Sequence, residues 1–544
     1  MQSRSTLIEH TRRPIWPAVC CLTLIFTATN FQLGDAISSE PFHHGEALAA
    51  ALSLAFEKTG FYPLTIHGAL DFIPALIART LFGQEKYFFP TWFIYQLISF
   101  FAAITSVAVI AGITRKTNNN SGLILLASAL MAPALVGYKD AVLLPSIYLY
   151  LLIQRQKSPA TRMLLEVCFG VVMAFGLFWS FDRGIAAAVS LGAACIIFAC
   201  KDRTYIVSFG TFIATLILLG LVSHQFSLEQ YWGNIKILLE TSSQWSYGWK
   251  DDPVILTGFL GFANALALWL LFTMKGSTRF SDANFPNLVF LTGLSIFLFK
   301  MGSNRADVSH IVPALWGPLL IAVYWYSSEK RPAISLPQKI ASAIFLLAMV
   351  LLGWEFEIWA FIPMFVLIVI GMLPSTDSSD RSLATRKAIS ATLLVAVIGA
   401  LYAFLGGISS GAYKWIVYFK SPPSNTELAT DGVRWASEQL LKAGSTCVFD
   451  MSNNGVINGL SGLPSCSRFV YPVYANQRYQ QEIIDSLESR LPPAIVYSST
   501  YWSYSIDGKA MPARFPALND YLLRKYGNQK CSFGYCIRYL TGGK

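Results

Sequence analysis

The chain has 544 residues, of which 54% are hydrophobic and 13% are charged, and its mean hydropathy is +0.48. Soluble proteins carry about 25% charged residues, so this composition excludes a soluble globular protein. The formal net charge is +10, and the arrangement of its basic residues accounts for this charge without a nucleic-acid partner.

Apolar runs close to 20 residues long recur along the chain, and each is long enough to cross a hydrocarbon core of about 30 Å as a helix. The first run follows Arg4, Arg12 and Arg13 and resembles a signal peptide, but its cleavage pattern is weak. We therefore interpret it as a retained first helix. Thirteen spans are predicted, with boundaries good to a few residues: 15–33, 90–113, 121–137, 140–154, 163–181, 184–200, 204–222, 253–274, 286–300, 310–327, 338–353, 357–373 and 388–407.

The connections between these spans alternate in charge. Those on the side of the N-terminus carry 18 Lys and Arg residues against six acidic residues, whereas the rest of the chain carries 23 against 25. Because basic loops stay in the cytoplasm, the N-terminus is predicted to be cytoplasmic. An odd number of spans then sends the C-terminus to the exported side of a bacterial inner (plasma) membrane. Five of the six histidines fall on that side: His43, His44, His67, His224 and His310.

The first exported loop, residues 34–89, is too long for a simple turn and too apolar for a flexible one. Its stretches 47–58 and 69–82 have helical spacing, broken by Gly60, Pro63 and Gly68. We predict two short helices that lie on the membrane surface. The loop also holds a group of polar residues that a membrane protein rarely keeps at its boundary without a use: Asp35, His43, His44, Glu46, His67 and Asp71.

The later exported loops add charge pairs at short turns. They are Lys139 with Asp140, Asp182 with Arg183, and Arg305 with Asp307 and His310. Charges this close to the hydrocarbon are costly, so they face a cavity or a partner by default. Simple pairing of Asp with Arg between loops is an equally good interpretation.

The polar, turn-rich tail that follows the last span differs in composition from the rest of the chain. Helices are predicted at 426–443 and 475–490, and short strands at 446–449, 468–471, 494–497 and 536–539. The chain is thus predicted to consist of a membrane domain over 1–407, which includes the 34–89 loop, and a small exported α/β domain over 408–544.

Four cysteines lie in this tail, an even number in a compartment that would be oxidising. They are Cys447, Cys466, Cys531 and Cys536. Pairing 447 with 466 and 531 with 536 is the most local of three possible connectivities. A zinc site is the alternative, but the spacing lacks a Cys-x-x-Cys pair.

This order of elements and several short sequence motifs resemble those of the GT-C superfamily of membrane glycosyltransferases. The motifs in the first loop are PFHHGE, IHGALDFIPALIA and the FG at 82–83. The motifs in the later exported loops are WSFDRGIA at 179–186 and SNRADVSHI at 303–311. The chain has His43-His44-Gly45-Glu46 where the resemblance leads us to expect His-Glu-Gly-Glu. The predicted fold class is thus a polytopic α-helical membrane protein of about thirteen transmembrane helices, which is GT-C-like by this resemblance, with a small C-terminal α/β exported domain.

The resemblance also implies a reaction. A GT-C enzyme takes a sugar from a polyprenyl-phosphate donor and passes it to an acceptor hydroxyl on the exported face, here with an inverting mechanism. The acceptor needs a carboxylate base, for which Asp35 and Glu46 are the candidates, with Asp35 preferred. The leaving phosphate needs basic groups, for which Arg183 and Arg305 are the candidates. The remaining loop residues are predicted to bind substrate: His43, His44, His67, Asp71, Lys139, Asp140, Asp182, Asp307 and His310.

Several alternatives remain open from the sequence. A polysaccharide polymerase or ligase would also use lipid-linked glycans, and a secondary transporter would show internal repeats, of which we find none that convince. The acceptor is a glycan, a lipid or a protein, and membrane lipids are further partners. No cofactor is required by the sequence, although a divalent cation stays open and its ligands are unknown. The chain has no Walker-type or Rossmann fingerprint.

Overall fold

The computed structural model describes residues 41–54, 61–113, 135–202, 204–222, 228–245, 285–303, 311–327, 416–418, 420–498 and 509–542, with single positions between 258 and 271. They fall into two compact units. The helical unit is drawn from 97–216 and 248–413, and the mixed unit from 32–96, 217–247 and 414–544.

The elements of the described residues are mostly helices. In chain order the α-helices are α1 Pro41–Leu54, α2 Ile73–Phe82, α3 Phe88–Ile113, α4 Leu143–Ile153, α5 Pro159–Trp179, α6 Phe181–Asp202, α7 Ile206–Val222, α8 Leu228–Trp245, α9 Phe285–Ser303, α10 Trp316–Ser327, α11 Asn425–Leu428, α12 Asp431–Lys442, α13 Val456–Ser461, α14 Gln480–Arg490, α15 Met511–Arg514 and α16 Pro516–Lys525. The strands are β1 Ala494–Ser498, β2 Tyr526–Ser532 and β3 Tyr535–Leu540. Four 3-10 turns connect them: Tyr138–Ala141, Val312–Leu315, Pro472–Tyr474 and Gln477–Tyr479.

Four helices of the described residues are long and apolar enough to cross a membrane: Phe88–Ile113, Pro159–Trp179, Phe181–Lys201 and Phe285–Ser303. They match four of the predicted spans to within a few residues. Helices α4, α7 and α10 coincide with three more predicted spans. The chain is therefore a multi-pass helical membrane protein, as its composition predicts. The other six predicted spans lie wholly or mostly outside the described residues, so the count of thirteen stays a prediction.

Small residues bring the helices of the helical unit into close contact. A Cβ on Gly170 of α5 would lie 2.5 Å from the backbone oxygen of Ser208 in α7. A Cβ on Gly317 of α10 would lie 2.5 Å from the Cα of Ser295 in α9. In a bilayer there is no hydrophobic force between apolar helices, so they associate where small residues let their backbones approach.

Three distant parts of the chain contribute to a hydrophobic core among the described residues of the mixed unit. Phe42 and Leu64 come from the first loop, Ile237 comes from α8, and the tail supplies residues such as Phe449 and Tyr474. By packing, the first loop therefore belongs with the tail. The predicted division at residue 407, which rests on membrane topology, stays a prediction.

A three-stranded antiparallel sheet in the order β1-β3-β2 forms the β part of the tail. The strands predicted at 494–497 and 536–539 are confirmed as β1 and β3. Strand β2 is not predicted from the sequence, because its Gly-Asn-Gln-Lys stretch is polar and exposed. This strand pairs with β3 through a two-residue turn, Phe533-Gly534, in which both residues have positive φ. That conformation matches the twist of a tight hairpin.

The strands predicted at 446–449 and 468–471 form only isolated bridges. The first segment runs beside β1, where the amide of Val496 donates to the carbonyl of Phe449 at 2.9 Å. The second pairs with the first loop, where the amide of Leu64 donates to the carbonyl of Arg468 at 2.7 Å. Both segments are therefore extended, but each makes only single bridges to its neighbours.

Two disulfides join the tail cysteines, Cys447 to Cys466 and Cys531 to Cys536. The most local of the three connectivities is confirmed. All four tail thiols are consumed, so the alternative of a cysteine zinc site in the tail is wrong.

Helix α1 differs from the predicted surface helix in both start and environment. It begins at Pro41, six residues before the predicted start at residue 47, and residues 45–53 are all buried. Its run of alanines and a glycine lets other elements pack around it. Its place on the membrane surface stays a prediction. Helix α2, by contrast, exposes Ile77, Leu81 and Phe82. Its place on the membrane surface stays a prediction.

Candidate functional site

The first cluster of predicted site residues lies in the mixed unit and is centred on Glu46 of α1. Its Oε1 accepts a hydrogen bond of 2.8 Å from the backbone amide of Ile66. Its Oε2 lies 3.8 Å from Nε2 of His67. Both side chains are buried, with Glu46 only 1% and His67 only 7% exposed. A buried carboxylate held from two sides has a fixed direction, which suits a group that must orient a partner.

The glycine that precedes Glu46 has a steric role. A Cβ on Gly45 would lie 2.6 Å from the backbone nitrogen of Val456, and one on Gly455 would lie 2.2 Å from the carbonyl oxygen of Gly45. Helix α1 therefore touches the segment that opens α13 backbone to backbone. The hydroxyl of Tyr471 joins the two elements, because it donates to the carbonyl of Phe42 at 2.5 Å and accepts from the amide of Gly455 at 3.1 Å.

The segment that carries His67 is fixed at several points along its backbone. The amide of Tyr62 donates to Oε1 of Gln230 on α8 at 2.7 Å, and the hydroxyl of Tyr62 donates to the carbonyl of Ala69 at 2.5 Å. Asp71 follows, 4% exposed, and its backbone carbonyl accepts a hydrogen bond from the hydroxyl of Tyr95. His67 and Asp71 thus belong to one compact, buried turn.

The remaining first-loop candidates are less defined. His43 and His44 belong to the first turn of α1, one turn or less before Glu46. Asp35, the preferred base, lies outside the described residues.

The second cluster lies in the helical unit and joins two of the predicted charge pairs. Nε of Arg183, in the first turn of α6, lies 2.8 Å from Oδ1 of Asp140. The other oxygen of Asp140 accepts a hydrogen bond of 3.0 Å from the amide of Gly137, so the carboxylate caps its own 3-10 turn. The side chains are 13% and 11% exposed. Pairing of Asp with Arg between loops, the alternative to a phosphate-binding role, is therefore present for Arg183.

Local hydrogen bonds fix the backbone around this ion pair. Oδ1 of Asp182 accepts from the hydroxyl of Ser180 at 2.6 Å and from the amide of Arg183 at 2.8 Å. The indole of Trp179 donates to the carbonyl of Tyr138 at 2.9 Å. The turn between α5 and α6 is consequently tied to the turn that holds Asp140. Lys139 lies half-buried on the same 3-10 turn.

A glycine also permits the close packing of α6 against the end of α5. A Cβ on Gly184 would lie 2.5 Å from the carbonyl oxygen of Gly176. The tight packing of α6 on the end of α5 needs this close approach. The third predicted charge group, Arg305, Asp307 and His310, lies outside the described residues.

The described residues thus bring together Glu46 with His67 and, separately, Asp140 with Arg183. That the two clusters line one exported cavity, as the reaction requires, stays a prediction. Within the part of the chain that the structure describes, no group of three or more His, Cys, Asp or Glu side chains is arranged to hold a metal ion.

Tail residues that are not predicted from the sequence contact the segments of the first cluster. Tyr471 contacts α1, and Arg468 reaches Oδ1 of Asn234 at 3.4 Å and Glu482 at 2.5 Å. No local signal identifies them, because their partners lie in other segments. Asp450 was also missed. It is buried in a DMSNNG turn, where it accepts hydrogen bonds from Ser452 and from the amide of Asn454.

Burial governs the acid–base behaviour of that turn. Desolvation raises the pKa of Asp450 from its usual 3.8 to about 6, although hydrogen bonds from Ser452 and Asn454 oppose the rise. Burial and the nearby Asp450 also raise the pKa of Tyr535, whose hydroxyl accepts a 2.7 Å hydrogen bond from Asn454.

Solved structures similar to this chain were found, but no protein related to it by sequence. No protein-family model matches the chain, and no curated protein matches it. The solved structure of ArnT from Cupriavidus metallidurans in the apo state aligns over 91% of this chain and 92% of its own, at 11% identity and a TM-score of 0.42.

A second similar structure is the oligosaccharyltransferase of Archaeoglobus fulgidus, solved with zinc and sulfate. It aligns over 94% of this chain and 71% of its own, at 13% identity and a TM-score of 0.42.

Proposed function

We propose that the protein is a membrane glycosyltransferase that moves a sugar from a polyprenyl-phosphate donor to an acceptor hydroxyl on the exported face. The observation that carries this proposal is the meeting of Glu46 with His67. These residues come from two motifs of the first loop, PFHHGE and IHG, on which the resemblance to the GT-C superfamily depends. Their contact is what a site built from the first loop requires.

The proposed reaction is a single displacement with inversion. Asp35 accepts the proton of the acceptor hydroxyl as its oxygen bonds to the anomeric carbon of the sugar. The bond between that carbon and the phosphate oxygen breaks, and polyprenyl phosphate leaves with the negative charge. Because a hydroxyl is a poor nucleophile, loss of such a base costs about 10²–10⁴ in rate.

Glu46 is the acid that orients substrate or histidine in this proposal. It is almost fully buried and already accepts a hydrogen bond from Ile66, so it is a poorer proton acceptor for a large substrate than an acid at the end of the first span. His43, His44 and Asp71 would complete the polar surface around the acceptor.

Basic groups of the later loops would hold the leaving phosphate. Arg183 keeps one edge of its guanidinium on Asp140, and a guanidinium has five N–H donors, so it can bind a phosphate oxygen at the same time. Arg305 and Lys139 are the further candidates. Charge-assisted hydrogen bonds of this kind are about twice as strong as neutral ones.

A polysaccharide polymerase or ligase is the second candidate, since it would use a lipid-linked substrate on the same face. Whichever function is correct, mass spectrometry of the surface glycans of a deletion strain is the first experiment. Loss of a single sugar residue favours a glycosyltransferase, whereas loss of chain length or of a whole glycan favours a polymerase or ligase. Unchanged glycans would contradict both.

Complementation of that strain then tests the site. Asp35→Asn and Glu46→Gln keep the shape of the side chains but remove their basicity. We expect Asp35→Asn to leave almost no modified glycan, and Glu46→Gln to leave a reduced amount. Glu438→Gln is the matched control, because Glu438 is a 62% exposed carboxylate on α12. Wild-type glycan levels in both test variants, at equal protein abundance, would refute the proposed site.

A further inference from the structure

The hydroxyl of Tyr471, a residue of the tail, lies between helix α1 and the segment that opens α13. It donates to the carbonyl of Phe42 at 2.5 Å and accepts from the amide of Gly455 at 3.1 Å. In an α-helix the carbonyl of residue 42 also accepts from the amide of residue 46, and a carbonyl oxygen has two lone pairs for these two bonds. One oxygen atom of α1 therefore links the side chain of Tyr471 to the backbone of Glu46.

Aromatic rings reinforce this link at the start of α1. The ring of Phe42 packs on that of Tyr471, with centroids 4.7 Å apart and planes at 37°, and it meets the ring of Tyr474 edge-on at 6.0 Å. The rings of Tyr471 and Tyr474 lie 5.7 Å apart. All three residues are at most 1% exposed. Because buried rings pack at the density of a crystal, the first turn of α1 has little freedom to move against the tail.

The tail segments that hold α1 are joined to each other by a buried turn. Oδ2 of Asp450 accepts a hydrogen bond of 2.6 Å from the amide of Asn454 and closes this turn. Oδ1 of Asn453, in the same turn, accepts a hydrogen bond of 3.2 Å from the amide of Val473. The turn and the segment that carries Tyr471 thus form one buried, hydrogen-bonded unit.

Glu46 follows Phe42 by one helical turn, so the position of the first turn sets the position of its carboxylate. Oε1 of Glu46 lies 2.8 Å from the backbone nitrogen of Ile66, and Oε2 lies 3.8 Å from Nε2 of His67. A short helix moves as a unit because its backbone hydrogen bonds connect every turn to the next. Release of the first turn should therefore lengthen both distances.

We propose that Tyr471 is a positioning residue for the glycosyl transfer proposed above. Its hydroxyl holds the first turn of α1 against the tail and thereby sets the distances from Glu46 to Ile66 and His67. In this role Tyr471 acts through α1 rather than on the substrate. The inference rests on the proposed function, because Glu46 has a role in the reaction only if the first loop forms the site. It makes the tail a working part of that site.

The first test is hydrogen–deuterium exchange of the purified full-length protein in detergent, without any ligand, followed by mass spectrometry of its peptides. Tyr471→Phe keeps the ring and removes the hydroxyl that bonds to Phe42 and Gly455. A neutral hydrogen bond contributes about a factor of five to an equilibrium, so exchange over residues 62–68 should rise roughly 5- to 30-fold. This stretch contains the amide of Ile66, which reports on Glu46.

The matched control is Tyr479→Phe. The hydroxyl of Tyr479 donates to Oε2 of Glu240 at 2.7 Å, so this variant also removes a hydrogen-bonding tyrosine hydroxyl from the tail. Exchange over residues 62–68 should stay within about twofold of wild type, as expected of a change at an independent position.

Asn453→Gly is a second test variant, for use also if Tyr471→Phe does not accumulate. The φ of Asn453 is 58°, which glycine adopts without strain. The change removes the side chain that accepts from the amide of Val473 and so loosens the segment that carries Tyr471. It should raise exchange over residues 62–68 in the same direction, by about fivefold.

Complementation of the deletion strain gives the functional measurement, at equal protein abundance. Tyr471→Phe should slow modification of the surface glycan roughly 10- to 100-fold, because a misplacement of about 1 Å at such a site can cost about 10²-fold in rate. Tyr479→Phe should modify glycan at the wild-type rate. A purely structural role of Tyr471 would instead lower the melting temperature and raise exchange throughout the tail.

Faster exchange over residues 62–68 in Tyr471→Phe, together with slower glycan modification, would support the proposal. Unchanged exchange there, or wild-type glycan modification despite faster exchange, would overturn it, while Glu46→Gln still tests the proposed site independently. The same effects in Tyr479→Phe, or an equal rise of exchange across the whole tail, would also overturn it. Wild-type glycan modification in Glu46→Gln as well would remove the proposed role of Glu46 and this inference together.

Discussion

Replacement of Gly45 by Ala tests the close approach that fixes the first-loop cluster. The added Cβ would lie 2.6 Å from the backbone nitrogen of Val456 and 2.8 Å from that of Gly455. Backbone atoms cannot rotate out of the way, so α1 and α13 must move apart by several tenths of an ångström. Insertion of an extra carbon into a packed core costs about 1–3 kcal/mol.

Where there is space for the added Cβ, replacement of Gly by Ala stabilises a helix. Ala is favoured over Gly in a helix interior by about 1 kcal/mol, so Gly45→Ala should destabilise the protein by about 0–2 kcal/mol in total. The matched control is Gly233→Ala, on α8 of the same unit, where nothing lies within 4 Å of the new Cβ. The difference between the two variants isolates the steric term, about 1–3 kcal/mol.

The change should also reduce function, because Glu46 directly follows Gly45. A shift of α1 lengthens the 2.8 Å hydrogen bond between Ile66 and Glu46. A misplacement of about 1 Å at a site of this kind can cost about 10²-fold in rate.

Two measurements check this prediction. Thermal melting of the purified variants in detergent reports the stability difference, and complementation of the deletion strain reports the remaining glycan modification. Gly45→Ala should melt below wild type or near it, and Gly233→Ala at or above it. Equal melting temperatures for the two variants, with equal glycan levels, would refute the steric account of the PFHHGE motif.

Three further predictions follow from the site and the tail. Arg183→Ala should reduce donor efficiency by roughly 30- to 150-fold and Arg183→Lys should restore only part of it, measured with the donor that the glycan analysis identifies; normal kinetics in both would make this arginine structural. Since burial raises the pKa of Asp450 to about 6, the folded state holds its proton more tightly than the unfolded state, so stability should fall as pH rises, by about 2 kcal/mol between pH 4 and pH 6. Melting curves in that range should show this slope in wild type and not in Asp450→Asn; the same slope in both would assign it to another group. A reporter fused after Lys544 should be active outside the cytoplasm, and Cys531 and Cys536 should resist thiol labelling until they are reduced; cytoplasmic activity of the reporter would contradict the predicted span count.

Local properties of the sequence determined the membrane-spanning helices, the disulfide pairing and part of the candidate site. The length of an apolar run decides whether it can cross a membrane as a helix, so the described spans match their predictions. Cysteines that are close in the chain are also close in space, so the most local disulfide pairing was correct. The motifs of the first loop were sufficient to predict Glu46 and His67 as site residues. In the structure, Oε2 of Glu46 lies 3.8 Å from Nε2 of His67.

The tertiary structure decided what depends on contacts between distant segments. The hydroxyl of Tyr471 donates to the carbonyl of Phe42 across a separation of 429 positions, and this contact helps to bury α1 among segments of the tail. In the same way the partner of Arg183 turned out to be Asp140, from the preceding loop. Periodicity records which face of a helix is apolar, but not which segment covers it. For a run such as Ala47 to Leu52, apolar on every side, only the packing shows that it is core.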